Sequence, residues 1–120
     1  MEQPSAHLIV RRSDDIAEVE FADRKILEEL SIQEIGDELD KLVESENGIK
    51  LLLNFRKVDH LSSAALGMLI TLNRKVAERN GRLKLSDINK QIFEVFRITR
   101  LNKILEIYPT AEDAKAAFYA

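Results

Sequence analysis

Apolar positions along this chain change period several times, and the changes divide it into alternating strands and helices. Leu8, Ile9 and Val10 begin an apolar run that resumes at Ile16, Val19 and Phe21. The intervening Ser13-Asp14-Asp15 has the polar composition of a turn joining two strands. Ala22 to Leu30 follows no clean period, since Arg24-Lys25 and Glu28-Glu29 bracket Ile26-Leu27. From Ser31 the pattern is helical: Ile32, Ile35, Leu39, Leu42 and Val43 recur at offsets 0, 3, 7, 10 and 11, one face of a 3.6-residue period. Ser31 with Glu34 predicts a capping box at its start, and Asn47-Gly48 predicts its end.

Ile49-Lys50-Leu51-Leu52-Leu53-Asn54-Phe55 is nearly continuous in apolar character and of strand length, as expected of a central strand covered on both faces. A second helix is predicted from about Ser62 to the stop at Asn80-Gly81, with Ala65, Met68, Leu69, Leu72 and Val76 on one stripe. Leu66 and Ile70 lie off that stripe, so they either widen the core contact or form an apolar spot on the surface. Arg82 to Ser86 alternates with period two. Asp87 or Asn89 is placed to cap a third helix carrying Ile92, Val95 and Phe96. Ile104, Leu105 and Ile107 suggest a short strand before Pro109, and Thr110 with Asp113 suggests the cap of a last helix carrying Ala114, Ala117 and Phe118.

The resulting order, β-β-α-β-α-β-α-β-α, predicts an α/β fold. A mostly parallel sheet of about five strands would begin with a hairpin and be flanked by about four helices. Leu51, Leu53, Leu69, Leu72 and Ile92 are expected to share its core. At 120 residues, with no repeat, linker or low-complexity tract, residues 1–120 read as a single domain.

Composition narrows the chemistry. The absence of cysteine removes disulfides, thiolate metal sites and a cysteine nucleophile, and the two histidines, His7 and His60, are too far apart in sequence for a helical metal pair. No apolar run approaches a membrane span and the first residues lack a signal-peptide pattern, so the chain reads as cytoplasmic with no direct membrane insertion. A net charge of −3 argues against nucleic acid as the main partner. Charge is uneven, however: Ser13 to Gly48 holds 13 acidic and 3 basic residues, and Thr71 to Arg100 holds 8 basic and 3 acidic. Solvated faces of different helices account for this most simply, and a charged docking surface is the alternative.

No catalytic group emerges. Ser62-Ser63 lies in Leu-Ser-Ser-Ala-Ala-Leu-Gly, without the Gly-x-Ser-x-Gly elbow, and the nearness of His60 in sequence does not position a base. Gly36, Gly48, Gly67 and Gly81 never cluster into a phosphate loop, so no cofactor is expected. What remains is a serine pair where a buried strand gives way to a helix. A serine there is a favoured N-cap, worth about 1 kcal/mol. An exposed hydroxyl at the same place also suits a phosphoryl acceptor, because a phosphate would meet free N–H groups and the positive end of the helix dipole.

At these residues the chain resembles the STAS family, shared by sulfate transporters and bacterial anti-sigma factor antagonists. The family's pattern runs from a hydrophobic strand through a short turn with Val to Asp-Ser-Ser-Gly-Leu-Gly opening a helix. Leu51 to Leu69 follows it without a gap, in a register set by Leu66-Gly67. Gly81 before the next strand and Thr110 to Ala117 as a closing helix are also similar. The family's phosphorylated serine then falls on Ser63 and its preceding Asp on Ser62, while Ala64 and Ala65 replace the next Ser and Gly. The family's Gly-x-Leu-Asp signature is absent from Ala22 to Leu30.

The resemblance implies the STAS fold and an anti-sigma factor antagonist that is not itself an enzyme. Such a protein would bind an anti-sigma factor of the histidine-kinase-like ATPase (serine kinase) type, release a sigma factor, and be switched off by phosphorylation of Ser63. A PP2C-type phosphatase is the candidate for resetting it. Ser62 would cap the helix or serve as the alternative phosphoacceptor. The partner-binding surface would comprise His60, Leu61, Ser62, Ser63 and Leu66, extended by Ile70 and Asn73. The alternatives are a non-phosphorylated STAS adaptor or scaffold of a signalling or lipid-transport complex and, more remotely, a small flavodoxin-like hydrolase.

Overall fold

Asp14 takes a left-handed backbone conformation, φ 56°, which Asp tolerates better than most residues, and so reverses the chain between β1 (Leu8–Ser13) and β2 (Ile16–Phe21). The two strands pair antiparallel from Ser13↔Ile16 to Leu8↔Phe21. In this computed structural model, which describes residues 6–120, every later pairing in the main sheet is parallel. Five strands lie in the order β1-β2-β4-β6-β7, with β4 spanning Lys50–Asn54, β6 Arg82–Ser86 and β7 Glu106–Tyr108.

The sheet grows in one direction along the chain. Right-handed crossovers therefore place α1 (Glu29–Ser45), α2 (Ser63–Glu78) and α3 (Lys90–Ile98) on one face. The main core forms there, from Val19, Leu51, Leu53 and Leu85 of the sheet with Ile35, Leu39, Leu69, Leu72, Ile92 and Phe96 of the helices. The expected core group of Leu51, Leu53, Leu69, Leu72 and Ile92 is present in full. On the other face the short α4 (Ala111–Ala117) sets Ala114, with Phe118 just beyond it, against Ile16 and Leu52. Coverage of both faces is why β4 is apolar at three successive positions: Leu51, Leu52 and Leu53 are all fully buried.

Several expectations are corrected, and the open alternatives at Leu66 and Ile70 and at Asp87 and Asn89 are decided. The capping box at Ser31 does not form: α1 starts two residues earlier, Glu28 occupies the cap position without a side-chain bond, and Ser31 is the third helical residue. The Glu34 carboxylate that would complete the box instead faces His7 Nε2 at 3.3 Å. The stretch without a period, Ala22 to Leu30, contains a two-residue strand, β3 (Lys25–Ile26), paired in parallel with β5 (His60–Leu61). Off the α2 stripe, Leu66 joins the core and Ile70 stays exposed. Asn89, not Asp87, caps α3 by accepting from the Ile92 N–H at 2.8 Å, while Asp87 adopts φ 59°. Val95 is exposed, because α3 seats on Ile92 and Phe96 alone. Ile104 precedes the last strand instead of opening it. A 3-10 turn at Leu101–Lys103 inserts Leu101 and Leu105 into the core, and pairing begins only at Glu106.

The end of α2 requires its glycine. Asn80 is left-handed, φ 62°, and a Cβ on Gly81 would lie 2.7 Å from the Ile49 carbonyl oxygen, closer than any side chain permits.

Candidate functional site

The segment that presents the serine pair is held from three directions. Phe55 is buried at the end of β4, its ring tilted against Phe21 with centroids 4.8 Å apart, and Val58 N–H donates to the Phe55 carbonyl to close a turn. Within that turn Asn54 Oδ1 accepts from the Arg56 N–H at 2.8 Å. From the β3 side, the Arg24 carbonyl accepts from Asp59 N–H and His60 N–H at 2.7 and 3.2 Å, and the Ile26 carbonyl accepts from Ser62 N–H at 3.1 Å. From α3, Asn89 Nδ2 donates to the Val58 carbonyl at 3.2 Å. The Arg24–Asp59 ion pair, at 2.9 Å, is exposed and adds little to these backbone bonds.

Ser62 and Ser63 have different tasks. Ser62 is the N-cap of α2: its backbone is extended and its Oγ accepts from the Ala65 N–H at 3.2 Å. Ser63 is the first helical residue, exposed, and its hydroxyl makes no hydrogen bond among the described residues. The cap uses the Ala65 donor and leaves the N–H groups of Ser63 and Ala64 without intrahelical partners. The first turn of α2 carries no acidic side chain, so the positive end of the dipole is not offset there. Replacing Ser62 with Ala is expected to cost about 1 kcal/mol, read as a lower urea midpoint at unchanged slope. An unchanged midpoint would mean that the Ala65 bond contributes nothing.

The other residues assigned to this surface are partly brought together. His60 is exposed on β5, whereas Leu61 is half-buried and packs against the core. Ile70 and Asn73 continue the Ser63 side of α2, exposed and half-exposed respectively. Leu66 lies between Ser63 and Ile70 but is only 9% exposed, so it seats the helix more than it offers surface.

Sequence reasoning missed Leu27 and Leu30, which follow β3 and are 48% and 66% exposed. The bond from Ser62 N–H to the Ile26 carbonyl brings Leu27 close to the serine pair. Two leucines around Glu28-Glu29 in a segment without a period were the available signal.

A second cluster steadies the same edge. His7 Nδ1 lies 2.6 Å from Asp23, next to the Arg24 that anchors the loop, and its Nε2 faces Glu34 on α1. Burial lowers the imidazole pKa, but the two carboxylates outweigh it and hold it above the usual 6.5. Its stabilising effect is complete below pH 6.5 and is lost as pH rises through the elevated value. His7→Gln is therefore expected to lower the melting temperature more at about pH 6 than at about pH 9. An equal loss at both would show that the imidazolium is not what Asp23 and Glu34 hold.

The opposite charges of the two halves of the chain partly meet inside it: Lys75 on α2 lies 2.6 Å from Asp40 on α1. A groove of about 220 Å³ between these helices, lined by Gly36, Met68 and Thr71 among others, does not include Ser62 or Ser63. Among the described residues no three His, Asp or Glu side chains are grouped to hold a metal ion, and no helix is long and apolar enough to cross a membrane.

Comparison with known proteins gives this geometry a context. The family model described as the STAS domain matches residues 7–114. The anti-sigma-B factor antagonist of Bacillus subtilis is 30% identical over 68 residues, which cover 57% of this chain and 62% of that protein. The chain thus spans about six-tenths of the length of the curated relatives it matches. Among solved structures, an anti-sigma-factor antagonist (STAS) domain protein from Planctomyces limnophilus is similar with a TM-score of 0.87 at 17% identity, over 96% of this chain and 100% of that one. The Bacillus cell-fate determinant SpoIIAA in its phosphorylated form is similar with a TM-score of 0.69 at 13% identity, over 92% and 98%. At such identities the likeness to solved structures establishes the fold.

Proposed function

The chain belongs to the STAS domain family, and on that premise we propose that it is an anti-sigma factor antagonist switched by phosphorylation of Ser63. It binds an anti-sigma factor of the serine-kinase type in the cytoplasm, frees the sigma factor, and loses that partner once phosphorylated. A PP2C-type phosphatase would reverse the modification. The observation that carries this reading is the division of labour at the start of α2. Ser62 is occupied as the cap, while the neighbouring Ser63 is exposed beside two open N–H groups with no carboxylate in the turn. The chain needs no base of its own, because a kinase supplies Mg²⁺, ATP and alignment. The surface offered is His60, Leu61, Ser62, Ser63, Ile70 and Asn73, with Leu66 beneath.

Incubation with a candidate anti-sigma kinase and labelled ATP tests the reading. Wild type should be labelled, Ser63→Ala should bind the kinase without taking label, and Ser62→Ala should still take label. Phosphate located on Ser62 by mass spectrometry would reverse the assignment. The second reading, a constitutive adaptor, is favoured by Ser62, Ala64 and Ala65 standing where the family motif has Asp, Ser and Gly. It predicts stable binding with no labelling of either serine.

A further inference from the structure

On the α4 face of the sheet, Glu20 is 1% exposed and is surrounded by three cations from two separate elements. Arg11 of β1 reaches its carboxylate at 3.1 Å. Arg56 reaches both oxygens at 3.1 Å and Lys57 reaches one at 3.2 Å, these two coming from the loop that leaves β4. The next carboxylate on that face, Glu18, is already matched by Lys115 at 2.8 Å and by Asn54 Nδ2 at 3.2 Å. Six charged groups therefore sum to about two positive charges at one place, on a chain whose net charge is −3.

One cation would satisfy Glu20. Burial raises its pKa, but hydrogen bonds from Arg11, Arg56 and Lys57 more than offset that and hold it ionised below the usual range. The surplus cations repel one another, and nothing internal neutralises them among the described residues. Their side chains are still 54%, 62% and 46% exposed, so the donors not aimed at Glu20 face solvent. Buried Glu20 acts as an anchor that converges three flexible side chains on one spot, lowering the entropy a ligand would otherwise have to remove.

We propose that Arg11, Arg56 and Lys57 form a receptor for a small phosphate-bearing anion, with Glu20 as its organiser. Two guanidinium forks and an ammonium converging on one spot suit the several oxygens and the double charge of a phosphate group better than a single carboxylate. The site is at the carboxyl end of the central strand, on the face opposite α2, and it does not depend on the phosphoserine reading.

Titration of the isotope-labelled protein with inorganic pyrophosphate, followed through its amide resonances at low salt, tests this. Saturable shifts are expected at Arg11, Arg56 and Lys57. Affinity should fall by about tenfold or more in the Arg56→Gln/Lys57→Gln variant, each lost charge-assisted contact removing a large part of the binding energy. If the double variant fails to fold, the single substitutions, each leaving two cations on Glu20, should still weaken binding. Non-saturating shifts, or equal affinity in the variants, would overturn the assignment. So would tighter binding of a triglutamate peptide, which would make this a surface for acidic protein segments.

Discussion

Leu53→Ala is expected to remove about 2 to 5 kcal/mol of stability, a large share of the roughly 5 to 15 that holds a domain of this size. Leu53 is fully buried in the central strand, flanked in register by Val19 and Leu85 and sharing the core with residues of α1 and α2. Val19 and Leu85 on either side are fixed by sheet hydrogen bonds, so the void left by truncation cannot collapse easily, and the cavity adds to the lost transfer energy. The melting temperature should fall by several degrees. Ile70→Ala, on the exposed side of α2, should stay within about 0.5 kcal/mol of wild type. A Leu53→Ala melt within about a degree of wild type would mean that the strand does not carry the core.

The largest functional effect is expected from charge at Ser63. A phosphate adds about −1.5 to −2 charges, and the open N–H groups and helix dipole stabilise it where it sits, so the domain itself should remain folded. The cost then falls on the interface. Burying a phosphate against a partner without a matching cation costs several kcal/mol, and each 1.4 or so weakens binding tenfold, so a loss of about a hundredfold or more is expected. Ser63→Asp should reproduce part of it with a single charge. Circular dichroism of the phosphorylated protein should remain native while titration with the anti-sigma factor weakens. Equal affinity for both forms would sink the switch and leave the constitutive adaptor.

What could be read from the sequence depended on the length of the signal. β4, α2 and α4 were legible because each is long enough to show a period or carries its cap in sequence, as Ser62 and Thr110 do. The β3–β5 ribbon was not, since two residues have no period and their pairing joins segments 35 positions apart. At Ser31 a local signal was overridden: α1 extends back to Glu29, which leaves Ser31 inside the helix, and Glu34 faces His7 instead. In the candidate site the serine pair was visible, yet the cluster around Glu20 was hidden. In Ile16-Ala17-Glu18-Val19-Glu20-Phe21 alternation places the glutamates on a polar, outward face. That face is buried instead, and the cations that reach Glu20 come from β1 and from the loop after β4, which no spacing rule connects.

The steady progression of the sheet, each parallel strand laid beside the one before it, also limits what the fold can hold. In open α/β sheets a crevice for small molecules opens where two adjacent strands send their following connections to opposite sides, so that their ends diverge. Here β2, β4 and β6 all lead into helices on the same side, so no such fork arises among them; the connections part only at the β6–β7 edge, where α3 and α4 lie on opposite faces, away from the serine pair. The carboxyl ends of the strands are bordered by loops and helix starts that lie side by side. Whatever is recognised there is met from outside, by side chains standing on a rim: Ser63 on one face, the heads of Arg56 and Lys57 on the other. Such connectivity favours being grasped by another molecule over enclosing one.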